Sequence, residues 1–191
     1  MVFQNEKKTY LAKIDKSKKG NVDEKIIPLV SLINSKDNYY TTSSCSGRVC
    51  LWKGNGKKNE TEWIKVSHNL IGNDFIGNDF IRNDFLAIND ENLVWLRLEP
   101  FILHVACRDI TSGNALLQKA KQIYKKSSLL SVSNKIVVEI RGSEFMEMPL
   151  YENRKLLFSG DMQWLAGLLN KKMKQIWKGT SKFQRIIEEF N

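Results

Sequence analysis

The stretch Tyr39-Tyr40-Thr41-Thr42-Ser43-Ser44-Cys45-Ser46-Gly47-Arg48-Val49-Cys50-Leu51-Trp52 changes character twice. Its first four residues are aromatic or β-branched, side chains that fit a pleated surface, and predict extended chain. Ser43 to Gly47 is then a run of small residues, none able to fill a core, in which Gly47 is free to take positive φ. Arg48 closes the turn and an apolar strand resumes. A turn of hydroxyls and exposed amides that ends in a guanidinium suits the cradling of an anion or polar ligand. Its plainer reading is a hairpin loop with serine turn chemistry. Either way, strands of about 38–44 and 48–52 are expected.

Working outward, residues 5–19 read as a helix with Tyr10, Leu11 and Ile14 as its apolar stripe. Gly20-Asn21 ends it, Asp23 is the expected cap of a second helix over 24–34, and Pro28 kinks that helix or delays its start. On the far side, 62–67 is a strand. A five-residue unit then runs three times over 71–85: Ile71-Gly72-Asn73-Asp74-Phe75, Ile76 to Phe80, and Ile81 to Phe85. Period five fits neither the helix nor the strand, so the repeat reads as a duplication on a surface segment. Residues 93–107 are the most apolar stretch, broken by Glu99-Pro100. After the proline, strand parity puts Phe101, Leu103, Val105 and Cys107 on one side and Ile102, His104, Ala106 and Arg108 on the other. A helix over 111–124 capped by Thr111 or Ser112 follows, then strands at 127–132 and 135–141, with Glu139 and Arg141 turned from the core. Helix over 161–178 and 180–190 ends the chain. Helices and strands mix without strict βαβ alternation, which gives the class α+β: one domain over 1–191, a mixed sheet, and helical ends.

The 191 residues carry 30 Lys+Arg against 21 Asp+Glu, a net charge of +9 that favours a polyanionic partner. Cations gather at Lys7, Lys8, Lys13, Lys16, Lys18 and Lys19, and again at Lys171, Lys172, Lys174, Lys178, Lys182 and Arg185. Solvated helix faces are the plain reading of both clusters. No apolar run approaches a membrane span, and three cysteines make a disulfide framework a poor fit, so a reducing cytoplasm is expected.

Two strands each turn a polar pair to one face, His104 with Arg108 and Glu139 with Arg141. Aligned in one sheet they would form a polar cluster. Taken singly, Glu139 and Arg141 also read as a surface ion pair, and His104 as a core histidine satisfied by a carbonyl. There is no Cys-x-x-Cys pair, and His104 and Cys107 have opposite parity, so no metal is expected. Cys45 as a nucleophile would need an adjacent base. No Gly-x-Gly-x-x-Gly opens a helix after a strand, so no nucleotide cofactor is legible in these residues.

The string Ser-Ser-Cys-Ser-Gly-Arg after Tyr-Tyr-Thr-Thr resembles the signature of the wybutosine-synthesising protein 3 family, called Taw3 or TYW3. Residues 16–34, 99–109 (EPFILHVACRD), 136–141 (IVVEIR) and the C-terminal helix resemble family blocks in the family's order, so the resemblance covers most of the chain. It implies an S-adenosylmethionine-dependent methyltransferase acting on N4 of 7-(3-amino-3-carboxypropyl)-4-demethylwyosine at position 37 of tRNA(Phe), a soluble cytoplasmic enzyme reading the anticodon loop, with a monomer slightly favoured. Carried onto this chain, it implies His104, Asp109 and Cys45 as catalytic candidates, with His104 or Asp109 removing the proton. Ser43, Ser44, Ser46, Gly47, Arg48, Glu99, Arg108, Lys126, Ser127, Glu139 and Arg141 are implied as binding residues. Residues 123–129 depart from the pattern, since Ile123 and Ser128 stand where the family tends towards glycine, and the repeat is foreign to it. The rival reading is a non-catalytic tRNA-binding module beside another modification enzyme, and what separates the two is whether the chain binds S-adenosylmethionine.

Overall fold

The computed structural model describes residues 3–12, 22–54, 61–76, 93–153 and 155–190. The class is α+β, as the patterning implied. The expected single mixed sheet is instead two sheets, and every described pairing is antiparallel. By backbone contacts the chain forms two compact units, each assembled from separated segments. The first comprises Met1–Ser46, Pro100–Ser143 and Ile176–Asn191, the second Gly47–Glu99 and Glu144–Gln175.

In the first unit the helices α1 (Phe3–Leu11) and α2 (Ile27–Ser35) precede strand β1 (Tyr39–Cys45). Pro28 sits in the first turn of α2, after a 3₁₀ turn over Glu24–Ile26, where its missing N–H costs nothing. It delays the helix rather than kinking it. Strands β5 (Ile102–Cys107), β6 (Ser128–Ser131) and β7 (Ile136–Arg141) complete the sheet in the order β1-β5-β7-β6. Between β5 and β6 runs α4 (Ile110–Lys121). The parity expected of β5 and β7 holds: Leu103, Val105, Val138 and Ile140 are fully buried. Gly113 shows how close α4 lies to that face, because a Cβ there would meet Ile136 at 2.8 Å. From α2, Asn34 Oδ1 accepts the Thr41 N–H at 2.7 Å. On the opposite face α1 covers the Tyr40 end of the sheet: the Phe3 and Tyr10 rings lie 5.5 and 5.2 Å from the Tyr40 ring. There Lys135 Nζ donates to the Tyr40 hydroxyl at 2.8 Å, that hydroxyl donates to Glu6 at 3.0 Å, and Lys135 and Glu6 form an ion pair.

The second unit holds a five-stranded sheet in the order β3-β2-β4-β8-β9: β2 (Arg48–Lys53), β3 (Glu62–Ser67), β4 (Val94–Glu99), β8 (Met146–Glu152) and β9 (Lys155–Leu156). Val49, Leu51, Leu96 and Leu98 give it a buried face. Pro149 lies within β8 next to a register shift, where the ladder is already interrupted and a missing N–H is tolerated. A short helix α3 (Asn73–Ile76) holds most of the first pentapeptide copy, and this copy is not a surface segment. Ile71, Phe75 and Ile76 are buried, Asn170 bonds both the N–H and the C=O of Ile71 at 2.8 Å, and the Tyr151 hydroxyl donates to the Ile76 carbonyl at 2.8 Å. The second and third copies lie outside the described residues apart from Ile76, as does the expected helix beyond Ala12.

The last helix, α5 (Met162–Glu188), is continuous where a break at Gly179 was expected. That glycine has a packing reason: its Cβ would stand 3.2 Å from the Tyr124 hydroxyl, beside Phe183, which is fully buried. Residues Met162–Gln175 of α5 belong to the second unit and those from Ile176 to the first.

Candidate functional site

The signature turn is not a hairpin. β1 pairs with β5 while β2 pairs with β3 and β4, so Ser46-Gly47 is the link by which the chain leaves one sheet for another. Gly47 takes φ 91°, the left-handed region the run of small residues foreshadowed. Ser46 is fully buried and its N–H donates to Asp23 Oδ2 at 2.7 Å. Asp23 does occupy the cap position before the 3₁₀ turn, but it makes no capping hydrogen bond there. Its buried carboxylate holds the signature instead. The sequence offered no sign of this, because an Asp before a helix is fully accounted for as a cap.

Register assembles the first polar cluster on the four-stranded sheet. Ser43 stands opposite His104, His104 opposite Glu139, and Glu139 opposite Ser128, one row across four strands. Cys45, Ile102 and Arg141 form the next row on the same face. Within it His104 Nε2 lies 3.0 Å from Glu139 Oε2, and both side chains are about one-fifth exposed, at 24% and 18%. A carboxylate there accepts the Nε2 proton, which leaves Nδ1 of the neutral ring as the lone-pair acceptor. The polar face expected from parity is thus real, and its centre is a carboxylate-oriented imidazole.

The other candidates of this unit are spread over both faces and both ends of the sheet. Ser44 turns to the opposite face, in register with Leu103. Arg108 is exposed, with its guanidinium 6.0 Å from the Phe3 ring. Asp109 is the N-cap of α4, accepting the Ser112 N–H at 2.7 Å, whereas the cap was expected at Thr111 or Ser112. That backbone bond, with the Ser112 side chain second, holds its carboxyl below the usual range. Lys126 is exposed; Ser127 is buried, and its hydroxyl accepts the Arg141 N–H at 3.4 Å. Neither Ile123 nor Ser128 needs a glycine's backbone, since Asn153 alone among described non-glycine residues has positive φ. Burial pushes the Cys107 and Cys50 thiols up to about 12, so both stay protonated at neutral pH.

The second polar cluster lies on the five-stranded sheet. Arg48 stands opposite Glu99, and its Nε donates to Glu99 Oε2 at 2.6 Å while the guanidinium lies 4.4 Å from the centre of the Trp63 ring. Arg97 repeats the arrangement two residues before Glu99: it bonds Glu147 at 2.5 Å and Glu99 at 3.4 Å, and lies 4.3 Å from the Trp52 ring. Trp52 stacks on Trp95 at 6.0 Å, and Trp52 Nε1 has no hydrogen-bond partner among the described residues. Arg48 is thus paired with an acidic neighbour on the sheet. The Glu99 carboxylate and the Trp63 face set its fork in one orientation. Arg97, Glu147 and Trp63 were not singled out from the sequence, although strand parity places Arg97 beside Glu99.

Three comparisons bear on this geometry. The family model described as methyltransferase TYW3 matches residues 5–189. A Pyrococcus abyssi protein named tRNA(Phe) 7-((3-amino-3-carboxypropyl)-4-demethylwyosine(37)-N(4))-methyltransferase 1 is 34% identical over 98% of this chain and 96% of its own length. A Xenopus laevis tRNA wybutosine-synthesizing protein 3 homolog is 34% identical over 98% of this chain and 75% of its own. The solved structure of a Pyrococcus horikoshii protein superposes with a TM-score of 0.83 at 30% identity, covering 97% of this chain and 96% of that one. The chain therefore belongs to the TYW3 methyltransferase family.

Proposed function

We propose that this chain methylates N4 of a 4-demethylwyosine-type base, carrying a 3-amino-3-carboxypropyl chain, at position 37 of tRNA(Phe), as the name of its Pyrococcus abyssi relative states for that protein. The observation that carries the reading is the His104–Glu139 pair, an oriented base on an otherwise ordinary sheet, within a chain of a methyltransferase family. A tRNA-binding module would have no use for such a pair, and family membership does not favour that alternative.

S-adenosylmethionine is the donor we propose. The polar cluster of the first unit fits its chemistry: Arg141 is an exposed guanidinium suited to a carboxylate, and Ser43 offers an exposed hydroxyl to a ribose. When bound, the cofactor supplies a methyl group that is already electrophilic, so the protein has to align the accepting nitrogen and manage its proton. His104 Nδ1 accepts that proton, and Glu139 steadies the imidazolium that results. Ser44 and Cys45 end β1 and lead into Ser46, whose amide Asp23 holds. Asp109 fixes the start of α4 and follows Arg108 at the Cys107 end of β5, whereas Ser127 and its neighbour Lys126 lie at the opposite end, by Arg141. Arg48 and Glu99, with Gly47 leading into their strand, present a fork for the anionic parts of the tRNA or of its modified base. The tRNA is read at the anticodon loop, where an unstacked base can be held against flat side chains.

The test is mass spectrometry of nucleosides from precursor tRNA(Phe) incubated with protein and S-adenosylmethionine. A mass gain of one methyl on the tricyclic base is expected. Unmethylated tRNA from folded protein that binds it would leave the binding-module reading standing.

A further inference from the structure

We infer that the exposed side of α5 from Trp164 to Lys174 is a docking surface for single-stranded RNA, on which Trp164 stacks an unpaired base and Lys171 and Lys174 meet phosphates. The inference rests on the reading of the chain as a tRNA-acting enzyme and assigns that RNA a place on the surface. Trp164, Gly167, Lys171 and Lys174 follow each other at helical spacing, and all are exposed. Their stripe lies within the part of α5 that belongs to the second unit.

Three observations point to RNA. Trp164 is 60% exposed, an indole left in water on a helix whose apolar side is already buried at Leu165, Ala166, Leu169 and Met173. One turn on stands Gly167, which costs a helix interior stability relative to alanine. Packing among the described residues does not call for it: a Cβ there would meet none of their atoms within 4 Å, in contrast to Gly179 on the same helix. A small residue beside an exposed ring keeps the ring's flank open to a flat ligand. Finally, the sequence from Met162 to Ile187 contains no Asp or Glu against six Lys and Arg. A solvated helix ordinarily interleaves opposite charges for i, i+4 support. Here the cations are left for an external anion, and aromatic platform with cationic track is the chemistry of single-strand binding.

An anionic membrane also attracts lysines and tryptophan. It needs an apolar face to insert, and the apolar face of this helix is consumed by the core. RNA is therefore the partner proposed.

The experiment measures affinity for an unmodified tRNA(Phe) transcript across a salt series. The variants are Trp164→Ala, the double variant Lys171→Glu/Lys174→Glu, and Gly167→Leu. The charge reversal is expected to weaken binding about tenfold or more at low salt and to flatten the salt slope by about one to two. Trp164→Ala is expected to weaken binding about tenfold. Gly167→Leu is expected to raise the melting temperature while weakening binding, a combination that misfolding cannot produce. The control Lys121→Glu/Lys125→Glu, exposed cations on and just after α4, removes equal charge and should shift affinity less than threefold. Variants that bind like the wild type, or a control that loses as much as the charge reversal, would overturn the assignment. So would loss of binding to phosphatidylserine vesicles with tRNA affinity intact. Wild-type protein that binds tRNA through this stripe yet transfers no methyl group would instead overturn the enzymatic reading and spare this one.

Discussion

Asp23 Oδ2 accepts the N–H of Ser46 at 2.7 Å, and both residues are buried. The bond joins the start of the second helical segment to the turn that carries the family signature, so the local conformation of that turn depends on a residue 23 positions earlier. Replacing Asp23 by Ala removes the acceptor from a buried amide and should cost about 1–3 kcal/mol of stability. Asp23→Asn keeps an oxygen acceptor without the charge and should cost less. Urea denaturation measures both. Equal stabilities for Asp23→Ala and wild type would show that the bond is incidental.

The His104–Glu139 pair makes a prediction about turnover rather than stability. Glu139→Gln retains the shape but gives up the charge that steadies an imidazolium. Methyl transfer should fall at least tenfold, about 1.4 kcal/mol, with the melting temperature little moved. His104→Gln leaves no ring nitrogen to take the proton and should cost at least as much. Turnover by Glu139→Gln equal to wild type would confine Glu139 to a structural role.

A stability plateau is expected from the Glu6–Tyr40–Lys135 contact. Lys135, first by its hydrogen bond, holds the Glu6 carboxyl below its ordinary value of 4.5, so the stabilisation is present above that pH and is lost as pH falls further. Lys135 is raised above 10.5, because Glu6 and then Tyr40 outweigh its desolvation, and its contribution is present below that pH and lost as pH rises. Burial raises the Tyr40 phenol, so its loss falls on the same alkaline side. Melting temperature against pH should thus be flat from about 5 to about 10 for this contact, and Lys135→Met should lower the plateau while flattening both edges. A Lys135→Met profile parallel to wild type would contradict the assignment.

The pentapeptide repeat shows where sequence reading stops. Period five matches no regular element, which is why the segment read as surface; Ile71 and Phe75 of the first copy and Ile76 at the start of the second are nevertheless buried, because Asn170 and Tyr151 far along the chain satisfy the backbone there. Partners so distant leave no local trace. What was legible followed from parity: the faces of β5 and β7, and hence the meeting of His104 with Glu139, come from period two alone. Which strands pair did not, so the signature turn read as a hairpin and β8, with Pro149 inside it, was passed over. Ile76→Ala should cost about 2–5 kcal/mol, since Ile76 is fully buried. A change below about 1 kcal/mol in urea denaturation would return the repeat to the surface.

Arg48 yields the most demanding test. Its guanidinium is fixed by Glu99 at 2.6 Å and by the Trp63 ring at 4.4 Å, an arrangement that needs both the fork and the flat face. Lysine keeps the charge and a cation for the indole but loses the fork. If Arg48 serves only the sheet, Arg48→Lys should alter stability slightly, because a part-exposed pair contributes about 0–1 kcal/mol, and leave turnover unchanged. If the fork receives an anionic part of the substrate, methyl transfer should fall about tenfold or more, roughly 1.4 kcal/mol, with the melting temperature little moved. Glu99→Gln separates the two further. It removes the partner's charge and keeps the fork, so on the binding reading it should cost less activity than Arg48→Lys, and on the structural reading the two should match. Turnover by Arg48→Lys equal to wild type on the modified tRNA would make the Arg48–Glu99 pair architecture.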